Sequence, residues 1–397
     1  MTQSASPHIV ILGGGFAGLY AALKLDGLAW EEKPTIVLAD QRDRFLFVPL
    51  LYELVTGELE TWEIAPLYAD LLANTSVQFQ KHRVTGVDVD GSMVYFDGAE
   101  PQPYDYLVLG LGGETPLDIV PGAAEYAIPF RTVDDAYRLK QTVQDLESSE
   151  RDRIRVAIVG GGYSGVELAC KLADRLGERG RIRIIEMSDK ILGSSTDFNQ
   201  EAADKALEER NVWIDLETKV TQVEADNISL EYREQVDTIP VDVVLWTVGT
   251  KVAEVVTHMP LEKNDRQQLL TTPTLQATGH PNIFPLGDIA EIHDASGQRV
   301  PVTAQAALQE AQFAAWNIWA SATARPLLPF RYEHLGEMMS LGMDSATLTG
   351  LGVTLDGPAA HIARRLAYLY RMPTLDHQVK VGLNWVTRPL RDLLAMQ

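Results

Sequence analysis

Two glycine fingerprints of the form GxGxxG stand 147 residues apart, from Gly13 to Gly160, each between an apolar strand and a helical pattern. The first reads Ile9-Val-Ile-Leu-Gly13-Gly-Gly15-Phe-Ala-Gly18, with Asp40 closing the next strand 22 residues later. In such a turn Gly13 permits the tight bend, Gly15 lets backbone approach a pyrophosphate, and Gly18 lets helix and strand pack closely. The helix N-terminus favours the anion, and Asp40 is placed to accept a hydrogen bond from a ribose hydroxyl. The second fingerprint reads Val156-Ala-Ile-Val-Gly160-Gly-Gly162-Tyr-Ser-Gly165, and Glu186 ends its next strand 21 residues on. One fingerprint could be a turn that merely packs. Two, each with strand, helix and acid in place, predict two dinucleotide sites, one for a flavin and one for a nicotinamide dinucleotide. Glu186 favours NADH, because its carboxylate repels the 2′-phosphate of NADPH and no Arg follows it directly. Arg181 and Arg183 on the same strand keep NADPH open.

The surrounding pattern is that of an α/β protein. His8–Leu12, a helix through Ala17–Leu25 and Thr35–Asp40 form one βαβ rhythm, and Arg155–Val159, Ser164–Leu176 and Arg181–Glu186 repeat it. Residues 77–112 read as short strands with turns at Asp90-Gly91 and Asp97-Gly98. At 397 residues the chain is long enough for two or three domains. Its formal charge of −21 argues against nucleic-acid binding, which is made by Lys and Arg. The single cysteine, Cys170, excludes an intramolecular disulfide, a Cys-based metal cluster and a dithiol redox pair, and Asp88-Val-Asp90-Gly91 is too incomplete for a calcium loop, so no metal is expected. Met1 to His8 is polar and runs straight into a strand, with no room for a signal peptide, so export is not expected. No stretch reaches the length of a membrane-spanning helix.

Further segments sharpen the reading. Tyr104-Asp-Tyr-Leu-Val-Leu-Gly110 and Asn282-Ile-Phe-Pro-Leu-Gly287-Asp288 resemble the returning strand and the late flavin motif of two-dinucleotide-domain flavoproteins. Phe47-Val-Pro49-Leu-Leu-Tyr52-Glu-Leu-Val-Thr-Gly57-Glu with Glu63-Ile-Ala-Pro66, Ala304-Gln305-Ala-Ala-Leu-Gln309-Glu-Ala, and Phe330-Arg-Tyr332 with Gly336-Glu-Met-Met-Ser-Leu-Gly342 resemble type II NAD(P)H:quinone oxidoreductases over nearly the whole chain. Trp62-Glu-Ile-Ala-Pro and Leu-Tyr-Glu-Leu look closest to the cyanobacterial and plastid branch, associated with demethylphylloquinone and plastoquinone-like quinones. Two segments depart from the superfamily: Leu109-Gly-Leu-Gly112 and Thr247-Val-Gly249 replace its usual wording, so the resemblance does not define the shape of the pocket wall near the flavin.

The resemblance implies a glutathione-reductase-like fold with a discontinuous FAD domain (1–117 and 267–330), an NAD(P)H domain (118–266) and a C-terminal domain (331–397). It implies FAD and NADH or NADPH as cofactors. Pro49, Gly112, Gly249, Gly287 and Asp288 then join Gly13, Gly15, Gly18, Asp40, Gly160, Gly162, Gly165 and Glu186 as cofactor-binding residues. Gln305 and Gln309, four residues apart on one helix face, would hold a quinone carbonyl, although alone the pattern is more often a solvated face. Glu167 would organise the flavin and nicotinamide or move a proton; otherwise it is a carboxylate favoured by the helix dipole. Tyr163 is either an aromatic lid over the nicotinamide or a helix-start residue packing on the sheet. The implied reaction is hydride transfer to flavin and reduction of a membrane quinone, without proton pumping. A nucleotide sensor similar to apoptosis-inducing-factor-like flavoproteins is one alternative. A ferredoxin reductase is the other, disfavoured because an acidic surface suits acidic ferredoxins poorly.

The tail has its own signature. From Pro358 to Gln397 it carries six basic residues, Arg364, Arg365, Arg371, Lys380, Arg388 and Arg391, against Asp376 and Asp392. Ile362, Ala363, Leu366, Ala367 and Tyr370 recur at helical spacing, as do Val379, Leu383, Val386, Leu390 and Leu393, with Pro389 expected to restart the second helix. Basic amphipathic helices with Trp385 at the edge suit an anionic bilayer. The expectation is a peripheral protein on the cytoplasmic side of a thylakoid or plasma membrane; docking on the protein's own core or on a homodimer partner is the alternative.

Overall fold

The computed structural model describes residues 6–395, and from Pro389 onward the backbone alone. The start of the polar N-terminal lead and the side chains of Leu390, Arg391, Asp392 and Leu393 lie outside the described part. The chain forms two compact units. One comprises the chain up to Leu46, Ala65–Glu114 and Thr250–Glu333; the other comprises Phe47–Ile64, Thr115–Gly249 and the chain from His334 onward. The flavin-wrapping segment and the C-terminal region expected from the sequence thus both pack within the second unit.

Each unit is built on a five-stranded parallel sheet with the fingerprint strand in the middle. In the first the order is Ile283–Pro285, Tyr106–Leu109, His8–Leu12, Thr35–Asp40, Gln78–Lys81. In the second it is Ala127–Pro129, Val243–Trp246, Ile154–Val159, Gly180–Ile185, Trp213–Asp215. Ile9, Val10, Ile11 and Leu12 are fully buried, as a parallel strand covered on both faces demands. An antiparallel three-stranded meander accompanies each sheet: Val84–Asp88, Met93–Phe96 and Ala99–Pro103 in the first unit, Lys219–Val223, Asn227–Tyr232 and Gln235–Pro240 in the second.

In the first unit the helix Phe16–Asp26 packs on the helix Ala304–Ala322. Ala17, Gly18, Ala21 and Ala22 on one and Ala307, Ala311, Ala314 and Ala315 on the other are buried, and their small side chains permit a close approach. The second unit adds the sheet Glu337–Ser340, Ala346–Gly350, Val353–Asp356 and the tail helices Gly357–Arg371 and Leu375–Ala395. The second tail helix does not restart at Pro389 but runs through it. A proline there removes one ladder bond, a local loss that the rest of a 21-residue helix absorbs.

Candidate functional site

The two fingerprint turns share their glycine geometry and their main backbone hydrogen bonds. Gly13 has φ +93° and its N–H donates to Ala39 O; Gly160 has φ +110° and its N–H donates to Ile185 O. A side chain on Gly18 would run into Gly13 O, and one on Gly165 into Gly160 O. At Gly15 and Gly162 the reverse holds, since nothing lies within 4 Å of where a Cβ would stand. These two glycines also cap the helices Phe16–Asp26 and Tyr163–Leu176 in extended conformation, with no side-chain cap. Each helix therefore offers its first N–H groups to an open cradle, the arrangement that receives a phosphate.

The acids also have a part that the sequence does not reveal. Asp40 Oδ2 accepts Gly14 N–H at 2.7 Å and Oδ1 accepts Arg42 N–H at 2.8 Å. Glu186 Oε2 accepts Gly161 N–H at 2.7 Å and Oε1 accepts Ser188 N–H at 2.8 Å. Each carboxylate braces its own glycine turn, and each oxygen keeps a lone pair for a ribose hydroxyl. Burial pushes the Asp40 carboxyl above its usual range despite these bonds. At Glu186 burial acts in the same sense, but the N–H bonds from Gly161 and Ser188 outweigh it and hold the carboxyl low. The residues present fit two dinucleotides.

The late flavin motif lies in the first unit. Gly287 has φ +70° and begins a short turn that includes Asp288. Gly287 N–H donates to Glu310 Oε2 at 2.7 Å. Glu310 is buried, and burial pushes its carboxyl up to about 7. It projects from the helix that carries Gln305 and Gln309. Gln305 Oε1 accepts the Tyr332 hydroxyl at 3.0 Å, whereas Gln309 donates to Glu333 O at 2.8 Å and accepts Glu333 N–H at 3.0 Å. The two amides share a face and both hold the segment Tyr332–Glu333.

Within the second unit, Tyr163 begins the glycine helix with its hydroxyl bonded to Ser195 Oγ at 2.7 Å and donating to Glu337 Oε2 at 2.6 Å. Asn199 Nδ2 donates to the same Glu337 oxygen, so the ring is tethered by its outer end. Glu167, one helical turn on, is buried, and its Oε1 accepts the Tyr52 hydroxyl at 2.6 Å and Ser340 N–H at 2.9 Å. Burial pushes this carboxyl up to about 7 against the lowering effect of Arg364.

Arg364 belongs to the tail and is fully buried. It donates to Glu53 Oε1 at 2.9 Å, to Pro49 O at 3.1 Å and to the Tyr52 hydroxyl. Arg365 pairs with Glu53 Oε2 at 2.9 Å, Arg388 donates to Glu58 O and Gly57 O, and buried Lys171 pairs with Glu58. Burial opposes the ionised form of Glu53, yet Arg364 and Arg365 together hold its carboxyl below the usual range. Trp385 Nε1 and Asn384 Nδ2 both donate to buried Glu63. Three of the arginines expected to face lipid, and the tryptophan expected at its edge, therefore face inward, because the segment 47–64 supplies the acids Glu53, Glu58 and Glu63 that compensate or accept from them.

Residues 7–311 match the model of the pyridine nucleotide-disulphide oxidoreductases. The chain belongs to that family. It is 56% identical, over 98% of both chains, to demethylphylloquinone reductase NdbB of Synechocystis sp.. It is 44% identical to alternative NAD(P)H-ubiquinone oxidoreductase C1 of Arabidopsis thaliana, over 98% of this chain and 82% of that one. Its fold matches NDH2 from Plasmodium falciparum in complex with NADH, with a TM-score of 0.85 at 16% identity, covering 96% of this chain and 98% of that one. It is related to the type II NADH:quinone oxidoreductases.

Membership of this family does not bring a disulfide here. Cys170 is buried on the second glycine helix, and burial pushes its thiol up to about 12, so it is inert as a nucleophile. The structure also isolates what the sequence alone did not single out: Glu53, Lys171 and Glu310. Each is buried and charged or polar, and in sequence each looks like an ordinary surface residue. The detectable signal was Glu53 and Glu63 set among apolar neighbours in a segment of little exposed surface, Leu54, Val55, Leu59 and Ile64.

Proposed function

We propose that this protein is a peripheral NAD(P)H:quinone oxidoreductase acting on a naphthoquinone such as demethylphylloquinone, or on plastoquinone, at the cytoplasmic side of a thylakoid or plasma membrane. The observation that carries the reading is the pair of open glycine cradles in a chain that matches quinone-reductase relatives over 98% of its own length. The first cradle, with Gly13, Gly15, Gly18, Asp40, Gly112, Gly287 and Asp288, would hold FAD; the second, with Gly160, Gly162, Gly165, Glu186 and Gly249, would hold NADH. The chemistry a bound flavin supplies is a two-electron relay between nicotinamide and quinone. The overall reaction takes NADH, one proton and quinone to NAD⁺ and quinol, so one proton must come from solvent through the protein.

Glu167 is placed for that proton. Its Oε1 accepts two hydrogen bonds, which leaves Oε2 as the atom that loads a proton, and a carboxyl held near 7 exchanges it at working pH. Gln305 would orient the quinone carbonyl, while Gln309, paired at both amide ends with Glu333, keeps the adjoining segment in place. Tyr163, tethered to Glu337 and Ser195, would wall the nicotinamide subsite rather than swing as a lid. Among the described residues no helix is long and apolar enough to cross a membrane. Attachment would use the outer faces of the tail helices, where Ile362, Leu366, Tyr370, Leu375, Val379, Leu383 and Val386 are exposed.

The test is anaerobic bleaching of the purified yellow protein by NADH, followed by reoxidation with a panel of benzo- and naphthoquinones. Reoxidation by a naphthoquinone much faster than by oxygen is the expected result. Reduced protein that no quinone reoxidises faster than oxygen does would overturn the reading in favour of a nucleotide sensor.

A further inference from the structure

The tail helix Gly357–Arg371 does more than present an apolar face, because it carries a guanidinium into the interior of the second unit. Arg364 ends in a chain of directed bonds: its Nη2 donates to the Tyr52 oxygen, the Tyr52 hydroxyl donates to Glu167 Oε1, and Ser340 N–H donates to the same oxygen. The guanidinium is also sandwiched, lying 5.5 Å from the Tyr52 ring centroid and 4.8 Å from that of Tyr368. Its Nη1 is anchored on Glu53 and its Nη2 also reaches Pro49 O. Both terminal nitrogens are thus held, Nη1 by Glu53 and Nη2 by Pro49 O and the Tyr52 oxygen, while Nε is buried without a hydrogen-bond partner among the described residues. The Tyr52 hydroxyl has one proton and points it where Arg364 does not, toward Glu167. A donor that is itself polarised by a cation is a stronger donor.

We infer that Arg364 is a positioning residue for Glu167, acting through the Tyr52 hydroxyl, so that the tail helix is part of the proton-handling site as well as an anchor. This rests on the proton-loading role proposed for Glu167. The groups facing that carboxyl come from four elements: Tyr52 from the segment 47–64, Cys170 and Lys171 from its own helix, Arg364 and Tyr368 from the tail, and Ser340 N–H from the strand Glu337–Ser340. Of these, Arg364, the Ser340 and Tyr52 bonds and Lys171 lower its affinity for a proton, whereas burial raises it. His361 is held near 4 by burial and Arg365 and does not titrate in the same range. Loss of the Tyr52 hydroxyl or of the Arg364 charge must therefore move the Glu167 titration in one direction, upward.

The experiment uses the full-length holoenzyme and two readouts. One is the infrared carboxyl band that disappears in Glu167→Gln, followed against pH. The other is the pH profile of stopped-flow reoxidation by a naphthoquinone. Tyr52→Phe removes one hydroxyl and leaves the Arg364–Glu53 pair intact, so it keeps the fold; Arg364→Met and Arg364→Lys complete the series. The expected result is a midpoint raised by roughly one pH unit in Tyr52→Phe and in Arg364→Met, with Arg364→Lys between these and wild type. If Arg364→Met does not fold, Arg364→Lys and Tyr52→Phe decide together, and a midpoint unmoved in Arg364→Lys while it rises in Tyr52→Phe overturns the part assigned to Arg364. A Glu167 band whose midpoint is unmoved in Tyr52→Phe overturns this inference while leaving the Glu167 role standing. A reoxidation profile unchanged in Glu167→Gln overturns the Glu167 role itself, and this inference with it.

Discussion

Attachment to a membrane through the tail should be driven by apolar insertion and not by charge. Ile362, Leu366, Tyr370, Leu375, Val379, Leu383 and Val386 are between 51% and 81% exposed on the two tail helices. Fully burying a Val, Leu or Ile side chain is worth about 1.5–3 kcal/mol, so at roughly two-thirds exposure each still has about 1–2 kcal/mol to gain on insertion. Leu366→Ser with Leu383→Ser should therefore remove about 2–4 kcal/mol, a loss of roughly 30- to 1000-fold in vesicle affinity. Charge contributes much less, because Arg364, Arg365 and Arg388 are held by Glu53, Glu58 and the Gly57 and Glu58 carbonyls. An exposed cation such as Lys380 adds about 1 kcal/mol at an anionic surface. The assay is co-sedimentation with anionic and with neutral phosphatidylcholine vesicles at low and high salt. Binding to both kinds, weakened about tenfold or less by salt and abolished in the Leu366→Ser/Leu383→Ser variant, is expected. Binding that salt abolishes while the double variant sediments like wild type would refute the argument. A concentration-dependent dimer with no vesicle binding would assign the same face to a second copy of the chain.

Other outcomes follow from single contacts. Glu186→Arg should shift kcat/KM from NADH toward NADPH, and its NADH KM should rise more than that of Glu186→Gln, because the carboxylate also braces Gly161 and Ser188; a wild-type preference for NADPH would contradict the carboxylate argument. Gln305→Leu should leave NADH-driven bleaching intact and slow quinone reoxidation about fivefold, the worth of about 1 kcal/mol for one neutral hydrogen bond. Gln309→Leu should instead lower Tm, because it frees both backbone groups of Glu333. Glu310 is an acid raised from 4.5 to about 7 in the folded state, so the folded chain binds its proton more tightly than the unfolded one. Its contribution is most favourable below the unfolded value and is lost as pH rises toward 7. Glu310→Gln should thus flatten the decline of stability between about pH 5 and 7 by on the order of 2–3 kcal/mol, measured as Tm against pH; parallel wild-type and variant curves would count against it.

The cradles were legible in the sequence and the charge cluster was not, and the difference is physical. A fingerprint turn is specified within a single βαβ unit: a positive φ at Gly13, a close contact at Gly18 and an acid at the end of the adjacent strand. All three requirements act on the backbone, so they appear as fixed residue types at fixed spacing. Even there the sequence assigned Asp40 and Glu186 to the ligand without foreseeing that each first braces its own turn. The tail poses a different problem. Helical spacing in residues 358–397 defines an apolar and a basic face, but it does not say which face turns inward. Ordinary burial would place the apolar face inside and leave the arginines to solvent or lipid headgroups. Here the choice is inverted by acids of a distant segment, of which Glu53 stands 311 residues from Arg364 in sequence. Glu53 and Glu58 pair with the cations, and Glu63 accepts from Trp385 and Asn384. Removing Arg364 from a buried pair while leaving Glu53 would cost about 3–5 kcal/mol, softened by Arg365 on the other oxygen. That cost keeps the basic face turned in and leaves Ile362, Leu366 and Tyr370 turned out, so the same ion pairs that fix Tyr52 beside Glu167 also create the apolar surface by which the protein can reach a quinone dissolved in a membrane.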